Sequence, residues 1–193
     1  MLRQFLVSLR TLLLVTVVAG VIYPLAVTGI ALAVFPHQAH GSLVTADGRV
    51  VGSALVGQRF IGAQYFQGRP SAAGSGYDAD ASGASNLGPT SRKLYEQVLA
   101  RVAAARASDG LVTQAPVPVD LVTASASGVD PDITPASARV QAARVARARG
   151  MSLAEVRGLI RANTSHRQLA VLGEDRVNVL SLNLALDERA GVR

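Results

Sequence analysis

From Thr11 to Phe35 the chain runs 25 residues without a charged side chain, and 19 of those residues are apolar. Nothing else in the sequence limits the fold as tightly, because an uncharged stretch of this length suits a bilayer. As one helix it would measure roughly 37 Å at about 1.5 Å per residue, slightly more than a ~30 Å hydrocarbon core. One tilted or kinked span over residues 11–35 is expected. Pro24 lacks a backbone donor and crowds the preceding turn, which predicts a kink near Tyr23. A cleaved signal peptide is the competing reading, since Arg3 and Arg10 form a basic leader and Ala31-Leu32-Ala33 has the small-x-small form of a cleavage site. The stretch exceeds the roughly 7–15 apolar residues of a signal peptide, which favours an uncut anchor.

Arg3 and Arg10 precede the span, whereas Arg49 alone follows it within about 20 residues. The N-terminus is therefore expected on the cytoplasmic side and the bulk of the chain outside. Inside the span, Thr16 with Gly20 and Gly29 with Ala33 form small-xxx-small pairs around Tyr23 and Pro24, which would let a neighbouring helix approach; small residues are also common in any span. The remaining charge is modest: 17 basic residues stand against 13 acidic ones once Arg3 and Arg10 are set aside. With 4% aromatics and no tryptophan, no nucleic-acid partner is expected. Cysteine is absent, which excludes a disulfide framework, a thiolate metal site and a cysteine nucleophile.

Residues 1–36 are assigned to an N-terminal tail and span, and residues 37–193 to a single soluble mixed domain, giving an α+β fold class with an extracytoplasmic α/β domain. Asp47-Gly48 between Ser42–Thr45 and Arg49–Gly52 predicts a hairpin. Leu55–Phe66 reads as extended chain, and residues 67–90, rich in glycine, proline and serine, as a long loop. Thr90 or Ser91 caps a helix with Leu94, Val98 and Val102 on one face, ending at Asp109-Gly110. Val117–Thr123 reads as an edge strand. Thr134-Pro135 opens a helix that stops at Gly150, and Ser152 with Glu155 forms a capping box for another over Leu153–Ala162, stapled by Met151 and Val156. Val177–Leu186 alternates as a strand would, although the slip at Val179-Leu180 also permits a helix.

Catalytic chemistry is sparse. His37 and His40 are read as solvated residues, Asp78, Asp80, Asp130 and Asp132 as turn and cap carboxylates, and Ser85 as lying one residue out of register for a nucleophile elbow. Gly83–Thr90 matches the phosphate-loop spacing except at the lysine, where Pro89 stands, so it reads as a helix entry with at most a weak anion site. Arg139, Arg144, Arg147 and Arg149 read as a solvated helix face. An independent membrane-anchored envelope enzyme and a cytoplasmic-facing nucleotide-binding module remain as alternative functions at this point.

Longer strings carry more information. Tyr65–Ala72, Ala84–Ser91, Val117–Ser125, Gly128–Ile133 and Arg176–Leu180, with Tyr23-Pro24 inside the span, closely resemble the C subunit of the bacterial high-affinity potassium-transporting P-type ATPase, the Kdp complex. The resemblance covers nearly the whole chain. It implies a non-catalytic inner-membrane subunit that works with a channel-like potassium-binding subunit, a P-type ATPase subunit and a very small helical subunit. It also implies a catalytic chaperone that raises the pump's ATP affinity, with no cofactor of its own and ATP bound through the complex. No phosphorylatable D-K-T-G string is present. Flanking arginines that put the domain outside exclude direct contact with cytoplasmic nucleotide, so an effect on ATP affinity would be coupling between distant sites. Tyr65, Phe66, Gly68, Arg69 and Pro70, together with Ser85, Asn86, Gly88 and Pro89, are the expected partner contacts; mutual packing of these loops is the alternative.

Overall fold

A computed structural model of the protein describes residues 1–190 and divides into two compact units, Met1–Leu43 and Val44–Arg193.

In the first unit, α1 (Leu2–Val17), a π-helical turn (Val18–Ile22) and α2 (Tyr23–Val34) form one apolar helix of 33 residues, long enough to cross a bilayer. It starts nine residues before the uncharged run and so includes Arg3 and Arg10. The break in α-helical register lies one turn ahead of Pro24: that residue has no N–H to give Gly20, and the coil widens so that the Tyr23 N–H reaches the Val18 carbonyl. None of its residues is buried by the chain. A single turn, α3 (Pro36–Ala39), follows and carries His37, with His40 just beyond it; both are exposed.

The second unit begins with the expected hairpin. Strands β1 (Leu43–Ala46) and β2 (Arg49–Ser53) pair around Asp47 and Gly48, both at positive φ. The extended chain expected over Leu55–Phe66 forms no strand; beyond an isolated bridge at Val56, a turn at Gly62–Tyr65 interrupts it, and its backbone is bonded by side chains instead. After the long loop, α4 (Arg92–Asp109) starts at Ser91, whose hydroxyl accepts from the Leu94 N–H, and stops at Gly110 in the left-handed region. Val117–Thr123 is a second correction: Val119–Leu121 is a 3-10 turn, not a strand. The turn carries Asp120 inward, where its carboxylate accepts from the Thr134 N–H at 2.7 Å and the Ser137 hydroxyl at the head of α5.

Helix α5 (Pro135–Arg149) is capped by Thr134, and α6 (Leu153–Ala162) by the reciprocal Ser152–Glu155 box. The C-terminal alternation resolves into both readings at the predicted slip: β5 (Arg176–Asn178) ends where α7 (Val179–Ala190) begins. Strand β5 lies between β3 (Asp132–Ile133) and β4 (Thr164–Ser165), antiparallel to both. Ala138, Ala142 and Val145 of α5, Val156 and Ile160 of α6, Val177 of β5, and Leu182 and Leu186 of α7 make the core. Met151 packs against the cluster that contains Val156. Phe66 is the one large core residue supplied by a loop.

Candidate functional site

The loop around Phe66 has no regular structure, yet its backbone groups must be paired once buried. Side chains of α5 and α7 supply the partners. Asn183 accepts from the Phe66 N–H at 2.8 Å and donates to its carbonyl at 3.0 Å, and Gln141 does the same for Gln67 at 2.8 and 3.0 Å. Arg144 donates to the carbonyls of Ala63 and Tyr65, and Arg149 to that of Gln64. Two amides and two guanidiniums thus replace a neighbouring strand. Tyr65 adds a contact under Arg149, whose guanidinium carbon lies 4.9 Å from the ring centroid.

These bonds overturn the solvated-face reading of the α5 arginines. Arg144 is 7% exposed and pairs with buried Asp109 at 2.7 Å, while Arg149 pairs with Asp187 at 2.7 Å. Only Arg139 and Arg147 of that group are exposed. The helix places its arginines on several sides, and two of those sides face the gripped loop.

Beyond Phe66 the same loop presents Arg69, 2.9 Å from Asp130. Tyr77 holds the turn by donating its hydroxyl to the Arg69 carbonyl at 2.6 Å. A side chain at Gly68 would collide with that hydroxyl, so glycine is required by the close approach. Burial first, and the nearby Asp130 charge second, push the Tyr77 phenol up to about 12, against the opposing effect of Arg69. Its hydroxyl serves as a structural donor to the Arg69 carbonyl. Ser71 completes the turn by donating to the Gly128 carbonyl and accepting from the N–H groups of Ala73 and Tyr77.

Gly68, Arg69 and Pro70 line a cleft of ≈ 520 Å³, together with Arg59, Arg101 and an apolar wall that includes Phe60 and Leu121. The Arg69 Nε is buried without a hydrogen-bond partner among the described residues. Tyr65 and Phe66 do not line this cleft; Phe66 has no exposed surface and serves to fix the loop. Ser85, Asn86, Gly88 and Pro89 lie apart from the cleft in an exposed entry to α4, tied down by the Gly83 N–H on the Ser127 carbonyl at 2.9 Å. Asn86 is at φ 50, a conformation asparagine tolerates better than most residues.

Two features of the site were not anticipated from the sequence. Arg59 and Arg101 sit in contexts without any motif. Gln141 and Asn183 carried a usable signal: each is an amide in the apolar face of a helix, where a buried polar group needs a dedicated partner. The four acidic positions act as turn and pairing groups: Asp78 accepts from Asp80, Asp130 holds Arg69 and the Asp132 N–H, and Asp132 meets Arg176 at 3.1 Å.

In the first unit, the two glycines expected to pack against another helix leave open space on the helix surface. A Cβ at Gly29 would meet nothing within 4 Å, and one at Gly20 only the Thr16 methyl at 3.9 Å.

Comparison with known proteins adds identity to this geometry. Residues 5–188 match the family model for the K+-transporting ATPase c chain, KdpC. A potassium-transporting ATPase KdpC subunit of Rhodospirillum rubrum is 56% identical over 190 residues, covering 98% of this chain and 97% of that protein. The protein of the same description from Acidobacterium capsulatum is 55% identical over 184 residues, covering 93% and 97%. That from Mycobacterium tuberculosis is 53% identical over 185 residues, covering 96% and 98%.

Proposed function

The chain belongs to the KdpC family, the c chain of the K+-transporting ATPase, and from that premise we propose that it acts as a non-catalytic brace within a potassium import complex. The observation that carries this reading is the gripped loop. Seven hydrogen bonds from Asn183, Gln141, Arg144 and Arg149 to the backbone of residues 63–67 hold the approach to Arg69 rigid. A pre-ordered loop loses little entropy on docking and suits a standing interface. The guanidinium of Arg69, with its unpartnered Nε, and the exposed Ser85–Pro89 entry are the proposed contacts to partner subunits.

The apolar helix crosses the bacterial inner membrane once, with Arg3 and Arg10 in the cytoplasm and the domain outside. Thr16, Gly20, Gly29 and Ala33 are proposed to receive neighbouring helices beside Tyr23 and Pro24. The partners are a channel-like potassium-binding subunit, the P-type ATPase subunit and a small helical subunit, and the domain caps the potassium entry side. The chain binds no ATP itself. A catalytic-chaperone effect on ATP affinity is then a coupling free energy between two sites, of the order of 1–3 kcal/mol in typical cases.

Two measurements test this. A reporter active only outside the cytoplasm, fused after Arg193, is expected to be active; activity confined to the cytoplasm defeats the topology. Gly29→Leu, which meets no neighbour within its own chain, is expected to lower co-purification with the other subunits while leaving the domain's melting unchanged. Unaltered assembly would remove the span from the interface.

A further inference from the structure

The β4–β5 connection, residues 166–175, carries four consecutive apolar residues, 169–172, at its tip. Leu169 is 85%, Val171 72% and Leu172 56% exposed. They form a tight tip: Gln168 and Leu172 exchange two backbone hydrogen bonds of 2.9 Å, and both Leu169 and Ala170 take left-handed φ values of 51° and 62°. Such turns ordinarily use asparagine and glycine. Here a leucine occupies the strained position, with its side chain in water.

The base of the same loop is basic. His166 and Asp175 line a second cleft of ≈ 380 Å³ with Arg139, Arg157 and Arg161 from α5 and α6. Asp175 is engaged by His166 at 3.3 Å and by the Arg167 N–H. Arg139 bonds its own helix through the Pro135 carbonyl. The side chains of Arg157 and Arg161 make no hydrogen bond or ion pair among the described residues. Arg167 and the carboxylate of Glu174 are the remaining exposed charges of the loop. The cleft thus holds three guanidiniums, a shape and charge suited to an oxyanion.

We propose that this face docks an anionic phospholipid, with the phosphodiester in the Arg139–Arg157–Arg161 cleft and the Leu169–Leu172 tip dipping into the interfacial apolar layer. The arginines of α5 and α6 share a cleft with His166 and Asp175 at the base of the loop, and the apolar residues form its tip, the order in which a membrane interface stacks headgroup and acyl chain. The bilayer is also the occupant at hand. Only eight residues, 35–42, join the apolar helix to β1, and they span at most about 28 Å when extended. The inference rests on insertion of the helix and is independent of which subunits assemble around it.

The absence of cysteine allows single labels. The full chain carrying Ala170→Cys and a polarity-sensitive fluorophore is placed in nanodiscs of phosphatidylcholine alone or mixed with phosphatidylglycerol, with acyl-chain-brominated lipid as quencher. A label at Leu25→Cys reports helix insertion separately. Val171→Cys repeats the measurement should the first variant fold poorly. With phosphatidylglycerol present, the tip label is expected to shift to the blue and be quenched. Arg157→Gln with Arg161→Gln should lower the ratio of buried to water-exposed tip by roughly 30-fold, from the attraction typical of two basic residues at an anionic surface. A quenched Leu25 label with a tip that stays water-like in both lipids overturns the proposal. So does equal tip quenching in both lipids, or a tip shielded only when the partner subunits are added, which would assign the face to protein.

Discussion

Two loops of the C-terminal domain invert the usual relation between regular structure and rigidity. Residues 63–67 have no strand or helix, yet side chains of α5 and α7 meet the carbonyls of Ala63, Gln64 and Tyr65 and both backbone groups of Phe66 and Gln67. Residues 166–175 contain a regular backbone bridge, yet their apolar side chains face solvent. Order in the first comes from tertiary bonds, and in the second only from the loop itself. Amide exchange should separate them: Phe66 and Gln67 are expected to exchange only in opening events near global unfolding, and Val171 in local fluctuations. Comparable protection would dissolve the contrast.

The largest break comes from Arg144→Leu. It leaves the Asp109 carboxylate buried without its cation and frees the Ala63 and Tyr65 carbonyls, costing about 3–5 kcal/mol in a denaturant titration. Asn183→Leu keeps the volume nearly apolar but strands both polar groups of Phe66, for about 3 kcal/mol by the same measurement. Replacing Leu169-Ala170 by Asn-Gly should work in the opposite direction. Relief of two left-handed non-glycine residues stabilises the domain by about 1–2 kcal/mol, read as a raised denaturant midpoint, and removes the apolar tip. A destabilised double variant would show that the tip is packed and not strained.

The smallest effect concerns α6. Hydrogen bonds from Ser152 hold the Glu155 carboxyl below its ordinary value of 4.5. Because the folded state favours the ionised form, this contribution is present above 4.5 and is lost as the pH falls through the lowered folded value. The difference in midpoint between the wild type and Glu155→Gln should therefore shrink with acidification across that range. A constant difference would exclude the capping box as its source.

Most local elements were legible because their signals are chemical and short-range. Asp47-Gly48 marks its turn, Thr134-Pro135 and Ser152–Glu155 mark helix starts, and Gly110 and Gly150 mark helix ends. The misreadings involve bonds made far along the chain. Val117–Thr123 looks like a strand until Asp120 is needed at the head of α5, fourteen residues away, and Arg144 looks solvated until residues 63–65 arrive from 79 and 81 positions earlier. Of the cleft, the string around Arg69 could be picked out, but its closure by Arg59 and Arg101 depends on packing that no periodicity records.

The widened turn at Val18–Ile22 has its own consequence for the span. Along an unbroken α-helix at about 100° per residue, the nine steps from Gly20 to Gly29 would set the two small-residue notches on opposite sides. The looser coil unwinds part of that angle, so the notches open at a skewed dihedral, as the proposed docking of two different helices requires. Deleting Val21 or Ile22, which lie between the notches, would swing one by about 100° against the other, turning a two-sided hinge pin into a misaligned key.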